Sequence, residues 1–187
     1  MPHGSVSDTI PATSAEVFHL LHDYSRRLEW DTLLQSAFLC DNSAEAQLHA
    51  TSVCIGRWYL GGIALKTEYV SFKPPHVAAV KMLNCPPFFE TFAATIRHHD
   101  LGNGSSTIEY KYNFTARPSW LRWLLHPAMA AVFRWETRKR LRALRHWFSN
   151  TANTNRSPSI DSLAEQSHTP EPVAGPVSNG KSSPPDQ

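Results

Sequence analysis

The sequence predicts an α+β fold: a curved antiparallel sheet of about six to seven strands, two short helices after the first strand, and a long C-terminal helix that the sheet wraps around an apolar cavity. Three observations lead there. Apolar residues alternate with polar ones through the middle of the chain, the signature of half-buried strands. After Pro118 the apolar spacing changes to that of a helix and holds for several turns. Every Phe, Trp and Tyr lies before Thr151, so the apolar surface that can drive folding is confined to residues 1–150. A domain of that size buries about 68–70% of its unfolded surface, enough for a core with an internal cavity.

Taken in order, Ser5–Ile10 reads as a strand closed by Pro11, which cannot extend a ladder. Thr13-Ser14-Ala15-Glu16 matches a capping box, with Val17, Leu20 and Leu21 at helical spacing behind it. A second short helix is expected over Tyr24–Glu29, delivering Trp30-Asp31 to a turn, where Asp31 is expected to cap. Ser36–Asp41 and Thr51–Leu60 are the next strands, and Gly61-Gly62 turns the chain. Ile63–Phe72 alternates Ile63, Leu65, Thr67 and Tyr69 against Ala64, Lys66 and Glu68. Pro74-Pro75 separates it from His76–Leu83, and Pro86-Pro87 separates that from Phe88–His99. The turn Asp100–Gly104 leads into Thr107–Ala116, with Ile108, Tyr110, Tyr112 and Phe114 on one face. The terminal helix is expected over Ser119–Phe148, kinked or divided at Pro127. Its apolar stripe is Leu125, Ala128, Met129, Val132, Phe133, Leu141, Leu144 and Phe148. One helix cannot fill the concave side of so wide a sheet, so space remains as a cavity lined by aromatic and aliphatic side chains.

Residues 151–187 have six prolines and seven serines with no aromatic, Met or Cys, so they are expected to form a disordered tail. Cys40, Cys54 and Cys85 are odd in number and lack C-x-x-C spacing, which indicates neither a disulfide framework nor a zinc site, and they read as small buried hydrophobes. Met1–Asp8 has neither a basic start nor an apolar run, and no apolar stretch is long enough to span a bilayer, so a cytoplasmic location is expected. No nucleotide-binding, nucleophile-elbow or zincin motif occurs, and no cofactor is expected. The adjacent pair His98-His99 faces opposite sides of a strand and cannot share a metal.

The stretches Ile10-Pro11-Ala12, Val17-Phe18, Tyr24, Glu29-Trp30-Asp31 and Glu68-Tyr69-Val70-Ser71-Phe72-Lys73-Pro74-Pro75 resemble the START-like (SRPBCC) helix-grip superfamily. That superfamily includes polyketide cyclases and aromatases, START lipid-transfer domains and plant hormone-binding allergens. The resemblance covers about Ser5 to Phe148 and implies an internal ligand pocket beneath the long helix. It supplies no universal catalytic residue, so fold alone does not settle the chemistry.

The residues expected to line the pocket are Trp30, Trp58, Tyr69 and Phe88, then Phe92, Ile96 and Phe114, and from the helix Met129, Val132 and Phe133. Among polar groups, Glu90 and His98 share the phase of Phe92 and Ile96, Tyr110 and Tyr112 lie on the apolar face of their strand, and Glu136 falls near the helical stripe. A carboxyl in an apolar cavity gains proton affinity and can serve as acid, base or ligand anchor, and a tyrosine can hold a carbonyl or enolate oxygen. Glu90, His98, Tyr110 and Tyr112 are therefore the catalytic candidates. The plainer alternative pairs Glu90 with a neighbouring base and the tyrosine hydroxyls with backbone, since a slip of one residue reverses a strand's faces. Two readings stand: a binding or transport protein for a lipid-, polyketide- or aromatic-like molecule, and a cyclase or dehydrase acting through those groups. A third is a protein-interaction adaptor working through the tail or the basic helix. Arg134–Arg145 is a solvated outer face or a contact for an anionic membrane, and nucleic acid is not expected.

Overall fold

The computed structural model describes residues 2–42 and 45–156, with side chains through Thr151. One compact unit ends at Ala152. It holds seven strands in a single antiparallel sheet: β1 (His3–Ile10), β2 (Leu34–Leu39), β3 (Thr51–Gly56), β4 (Ala64–Lys73), β5 (Val77–Met82), β6 (Phe89–Asp100) and β7 (Ser106–Ala116). Their spatial order is β1-β7-β6-β5-β4-β3-β2, so consecutive hairpins build the sheet from β2 to β7 and β1 closes the far side. Helices α1 (Ser14–His22) and α2 (Arg27–Trp30) carry the chain from β1 at one edge to β2 at the other. The last element, α3 (Arg122–Arg156), follows a 3-10 turn at Ser119–Leu121. This is the curved sheet and long terminal helix of the helix-grip fold.

Local chemistry sets the boundaries. Thr13 caps α1 as a full capping box: Glu16 N–H donates to the Thr13 hydroxyl at 3.3 Å, and Thr13 N–H donates to the Glu16 carboxylate at 2.8 Å. The second helix starts later than the expected Tyr24, because the Asp23 carboxylate accepts both the N–H of Ser25 (2.9 Å) and its hydroxyl (2.5 Å). That Asx turn competes with a helical start, and α2 begins at Arg27. Strand β3 stops at Gly56 rather than Leu60, since the chain tightens into a 3-10 turn at Trp58–Leu60, closed by Gly61 at φ +72°. Helix α3 runs through Pro127 as one element. So near the helix start, proline forfeits only the bond to the Trp123 carbonyl, and Trp123 is solvent-exposed. Helix α3 also continues to Arg156, beyond the expected end at Phe148; the proline- and serine-rich segment 157–187 lies outside the described residues.

Three irregularities bend the ladders, at Leu34/Ser36, Tyr69/Ser71 and Phe89/Thr91. Helix α3 grips the concave face at two places. Phe133 stacks on Phe92, Tyr112 and Phe114, with ring centroids 5.5, 5.3 and 5.4 Å away, and meets Phe89 edge-on. About two to three turns further on, Leu141 and Leu144 enter a core with Val6, Ile10, Leu20, Trp30, Ile96 and Ile108. The cysteines depart from expectation. All three are free, but Cys40 and Cys85 are exposed because they lie in the connections between strands, and only Cys54 turns inward.

Leu144 is fully buried in the α3 anchor. Leu144→Ala should lower stability by about 2–5 kcal/mol through lost contacts and a residual cavity. Chemical denaturation measures it; a loss below about 1 kcal/mol would mean that this anchor contributes little.

Candidate functional site

Between the sheet and α3 lies a cavity of about 510 Å³. It exists because the inner face carries short side chains where the helix passes over: Gly56 on β3, Ala78 and Val80 on β5, and Ala94 on β6 all line it. Larger walls surround that floor. Leu65 and Tyr69 rise from β4, Phe92 and Ile96 from β6, and Met129, Val132 and Phe133 come down from α3. Phe88, Tyr59 and Val132 line the cavity while remaining exposed, which marks the mouth.

One end of the cavity is polar. Arg27 and Arg140 both line it, and both hold Asp31: Arg27 Nε donates to the carboxylate at 3.0 Å and Arg140 Nε at 2.7 Å. The Asp31 side chain is inaccessible to solvent, and Arg27 donates further to the Leu21 carbonyl. Burial pushes the Asp31 carboxyl up, and the Arg27 guanidinium opposes that push. Trp30 packs against both cations, 4.9 Å from Arg27 and 5.9 Å from Arg140. Beside them Tyr69 hydroxyl bonds Tyr24 hydroxyl at 3.1 Å and His22 Nδ1 at 3.0 Å. Burial raises Tyr24 to about 12 and Cys54 to about 11, so both stay protonated at neutral pH. Glu136 projects from α3 into the same cavity, and neither carboxyl oxygen has a partner among the described residues. Burial raises its proton affinity, against the pull of Lys139.

The four catalytic candidates do not converge. Glu90 is the extra residue of the bulge between Phe89 and Thr91; the bulge puts Phe89 on the inner face and turns Glu90 outward, where it pairs with Arg122. His98 is buried, but it sits edge-on to Phe18 at 5.3 Å and is not on the cavity wall. Tyr112 stacks on Phe133 with its hydroxyl over Gly4 of β1, where a Cβ would come within 2.5 Å of it. Only Tyr110 of the four lines the cavity. Among the other expected pocket residues, Tyr69, Phe88, Phe92, Ile96, Met129, Val132, Phe133 and Glu136 are on the wall. Trp30 and Phe114 are core residues instead, and Trp58 stands in solvent on the 3-10 turn that cut β3 short. Sequence reasoning missed His22, Tyr24, Arg27 and Arg140. Arg27 and Asp31 at helical i, i+4 spacing were the available signal, obscured because the helix was expected to end at Glu29.

Among the described residues no group of three or more His, Cys, Asp and Glu side chains is placed to hold a metal ion, and no helix is long and apolar enough to cross a membrane. The model of the polyketide cyclase/dehydrase and lipid transport family matches residues 1–146, and the chain belongs to that family. No curated protein matches by sequence. Solved structures share the fold at low identity. The Zhui aromatase/cyclase from Streptomyces sp. R1128 is 13% identical, with a TM-score of 0.70 over 81% of this chain and 95% of its own. A START superfamily protein from Mycobacterium smegmatis is 10% identical, with a TM-score of 0.65 over 80% and 98%. The protein XoxI from Bacillus cereus is 16% identical, with a TM-score of 0.63 over 81% and 99%.

Two consequences of the buried polar groups can be measured. Asp31→Asn leaves two guanidiniums without their anion and should cost about 3–5 kcal/mol, read by denaturant unfolding. Imidazole burial is the second. His22 and His98 are buried, and burial lowers both, His98 to about 4 from the ordinary 6.5. The unfolded chain therefore binds protons that the folded chain refuses. Stability present above pH 6.5 is lost as pH falls toward about 4, by up to about 1.4 kcal/mol per pH unit for each imidazole. His98→Phe should flatten that slope by about one imidazole's share between pH 6.5 and 4. An unchanged slope in the variant would show that His98 is protonated in the folded state.

Proposed function

We propose that this domain binds and carries a hydrophobic small molecule, lipid-, polyketide- or aromatic-like, in the cavity beneath α3. The observation that carries the reading is the cavity itself: about 510 Å³, walled mainly by aliphatic and aromatic side chains, with its polar groups gathered at one end. That volume falls within the roughly 300–1,000 Å³ of small-molecule sites. Tyr24, Arg27 and Tyr110 then suit an oxygen-bearing end of the ligand, and Phe92, Ile96 and Met129 suit its apolar body. The dispersal of Glu90, His98 and Tyr112 supports carriage over catalysis.

One observation favours a second reading, a cyclase or aromatase. The Glu136 carboxyl in the cavity wall has no hydrogen-bond partner among the described residues, and burial makes it hold its proton more tightly than an ordinary carboxyl, as a general acid does. Tyr110 and Arg27 would then hold developing negative charge on a substrate oxygen.

Native mass spectrometry of the purified protein should show a co-purifying apolar molecule, and a fluorescent fatty acid should bind and be displaced by other hydrophobic ligands. Ala94→Phe, which fills the floor of the cavity, should weaken that binding by about tenfold or more, at a stability cost of about 1–3 kcal/mol. Glu136→Gln should leave fatty-acid binding within about threefold, whereas the enzyme reading requires it to abolish turnover of a poly-β-ketone. Failure of a broad hydrophobic panel to bind would refute carriage.

A further inference from the structure

Four of the six tryptophans lie in solvent: Trp58 is 83% exposed, Trp120 74%, Trp123 76% and Trp135 61%. Exposing so much aromatic surface is unfavourable unless something covers it. Two of them belong to one patch. The Trp58 ring lies 6.1 Å from that of Tyr59, and Lys139 Nζ sits 5.3 Å from both Tyr59 and Trp135. The patch thus joins the 3-10 turn after β3 to the outer face of α3, and through Tyr59 it reaches the cavity wall.

The helix continues the pattern. Leu124, Ala131, Trp135, Arg138 and Arg142 recur at spacings of three, four or seven residues and are all exposed, opposite Met129, Phe133 and Leu144 on the side facing the sheet. The charge on this face has one sign. Glu136 is the sole acid in α3, and it is buried. Arg140 and Arg145 are engaged by Asp31 and Asp8, while Arg138 and Arg142 have no carboxylate within ion-pair distance among the described residues.

We propose that this face, at the mouth of the cavity, docks on the surface of an anionic lipid bilayer. Trp58 and Trp135 enter the headgroup region, and Arg138, Lys139 and Arg142 meet lipid phosphates. Tryptophan beside lysine and arginine is the composition that settles at a membrane–water boundary, where an amphipathic ring has one end apolar and the other wet. A protein partner fits less well, since the centre of such interfaces is depleted of lysine, and here Lys139 lies between the aromatic rings. The mouth residues Tyr59, Phe88 and Val132 would face the bilayer, so an apolar molecule could pass between it and the cavity without crossing water.

Docking goes beyond the carrier reading and is tested without any cargo. The full chain is sedimented with vesicles of phosphatidylcholine alone and of phosphatidylcholine with about one-quarter phosphatidylserine. The expected result is co-sedimentation with the anionic vesicles, a blue shift of tryptophan emission, and release at about 1 M salt. Arg138→Gln/Lys139→Gln/Arg142→Gln should weaken partitioning on the order of 100-fold, about fivefold for each cation. Trp58→Ala/Trp135→Ala should weaken it by about tenfold or more. None of these five side chains lines the cavity, so fatty-acid binding in free solution should persist in both variants. Absence of vesicle binding, or vesicle binding unaffected by both variants, overturns the proposal, as does capture of an acidic protein through Trp58 and Trp135 when vesicles are not bound. Loss of fatty-acid binding with vesicle docking intact would refute the carrier reading alone.

Discussion

A carboxylate removed from water between two arginines is the constraint on which the arrangement of this domain rests. Asp31 must be paired, because an isolated buried charge would cost several kcal/mol. Its partners come from α2 and from α3, more than one hundred positions later in the chain. Satisfying Asp31 therefore fixes where α3 crosses α2, and the Trp30 ring packs against both guanidiniums. The same pairing draws Arg27 and Arg140 into the cavity wall. One ion cluster thus serves as the structural tie and as the polar end of the site.

The cavity follows from a mismatch of volumes. Helix α3 is held at Phe133 by the aromatic rings of β6 and β7, and at Leu141 and Leu144 by the core around β1 and α1. Opposite the helix, β5 and β6 present Ala78, Val80 and Ala94, which are too short to reach it. Protein interiors normally close such gaps, because unfilled volume forfeits dispersion contacts. Two rigid anchors and a bulged, curved sheet prevent closure, so the space persists as a site for something other than protein.

That architecture also bears on how chemistry could be hosted. Polar groups on the wall stand on rigid elements: Tyr24 is bonded to Tyr69, Arg27 to Asp31, and Tyr110 is on a central ladder. Glu136 is the exception, a carboxyl with no hydrogen-bond partner among the described residues. A ligand that supplies the missing hydrogen bonds would relieve the cost of leaving them unmade. The mouth, by contrast, is lined by the exposed Phe88, Tyr59 and Val132, with Trp58 and Lys139 beside Tyr59.

The sequence by itself determined the order of the elements, the capping box at Thr13, the inner face of β7 and the apolar stripe of α3. These rest on local periodicity and on hydrogen bonds between residues three or four apart. It also carried a family resemblance strong enough to predict the curved sheet and its terminal helix. Only the tertiary structure decided the site. A bulge at Glu90 reversed that residue's face, a 3-10 turn sent Trp58 into solvent, and an Asx turn at Asp23 delayed the start of α2 to Arg27. None of these has a period to read. Each depends on one residue added to a ladder or one side chain competing with the backbone, and a shift of a single position is enough to turn a side chain from the cavity to water.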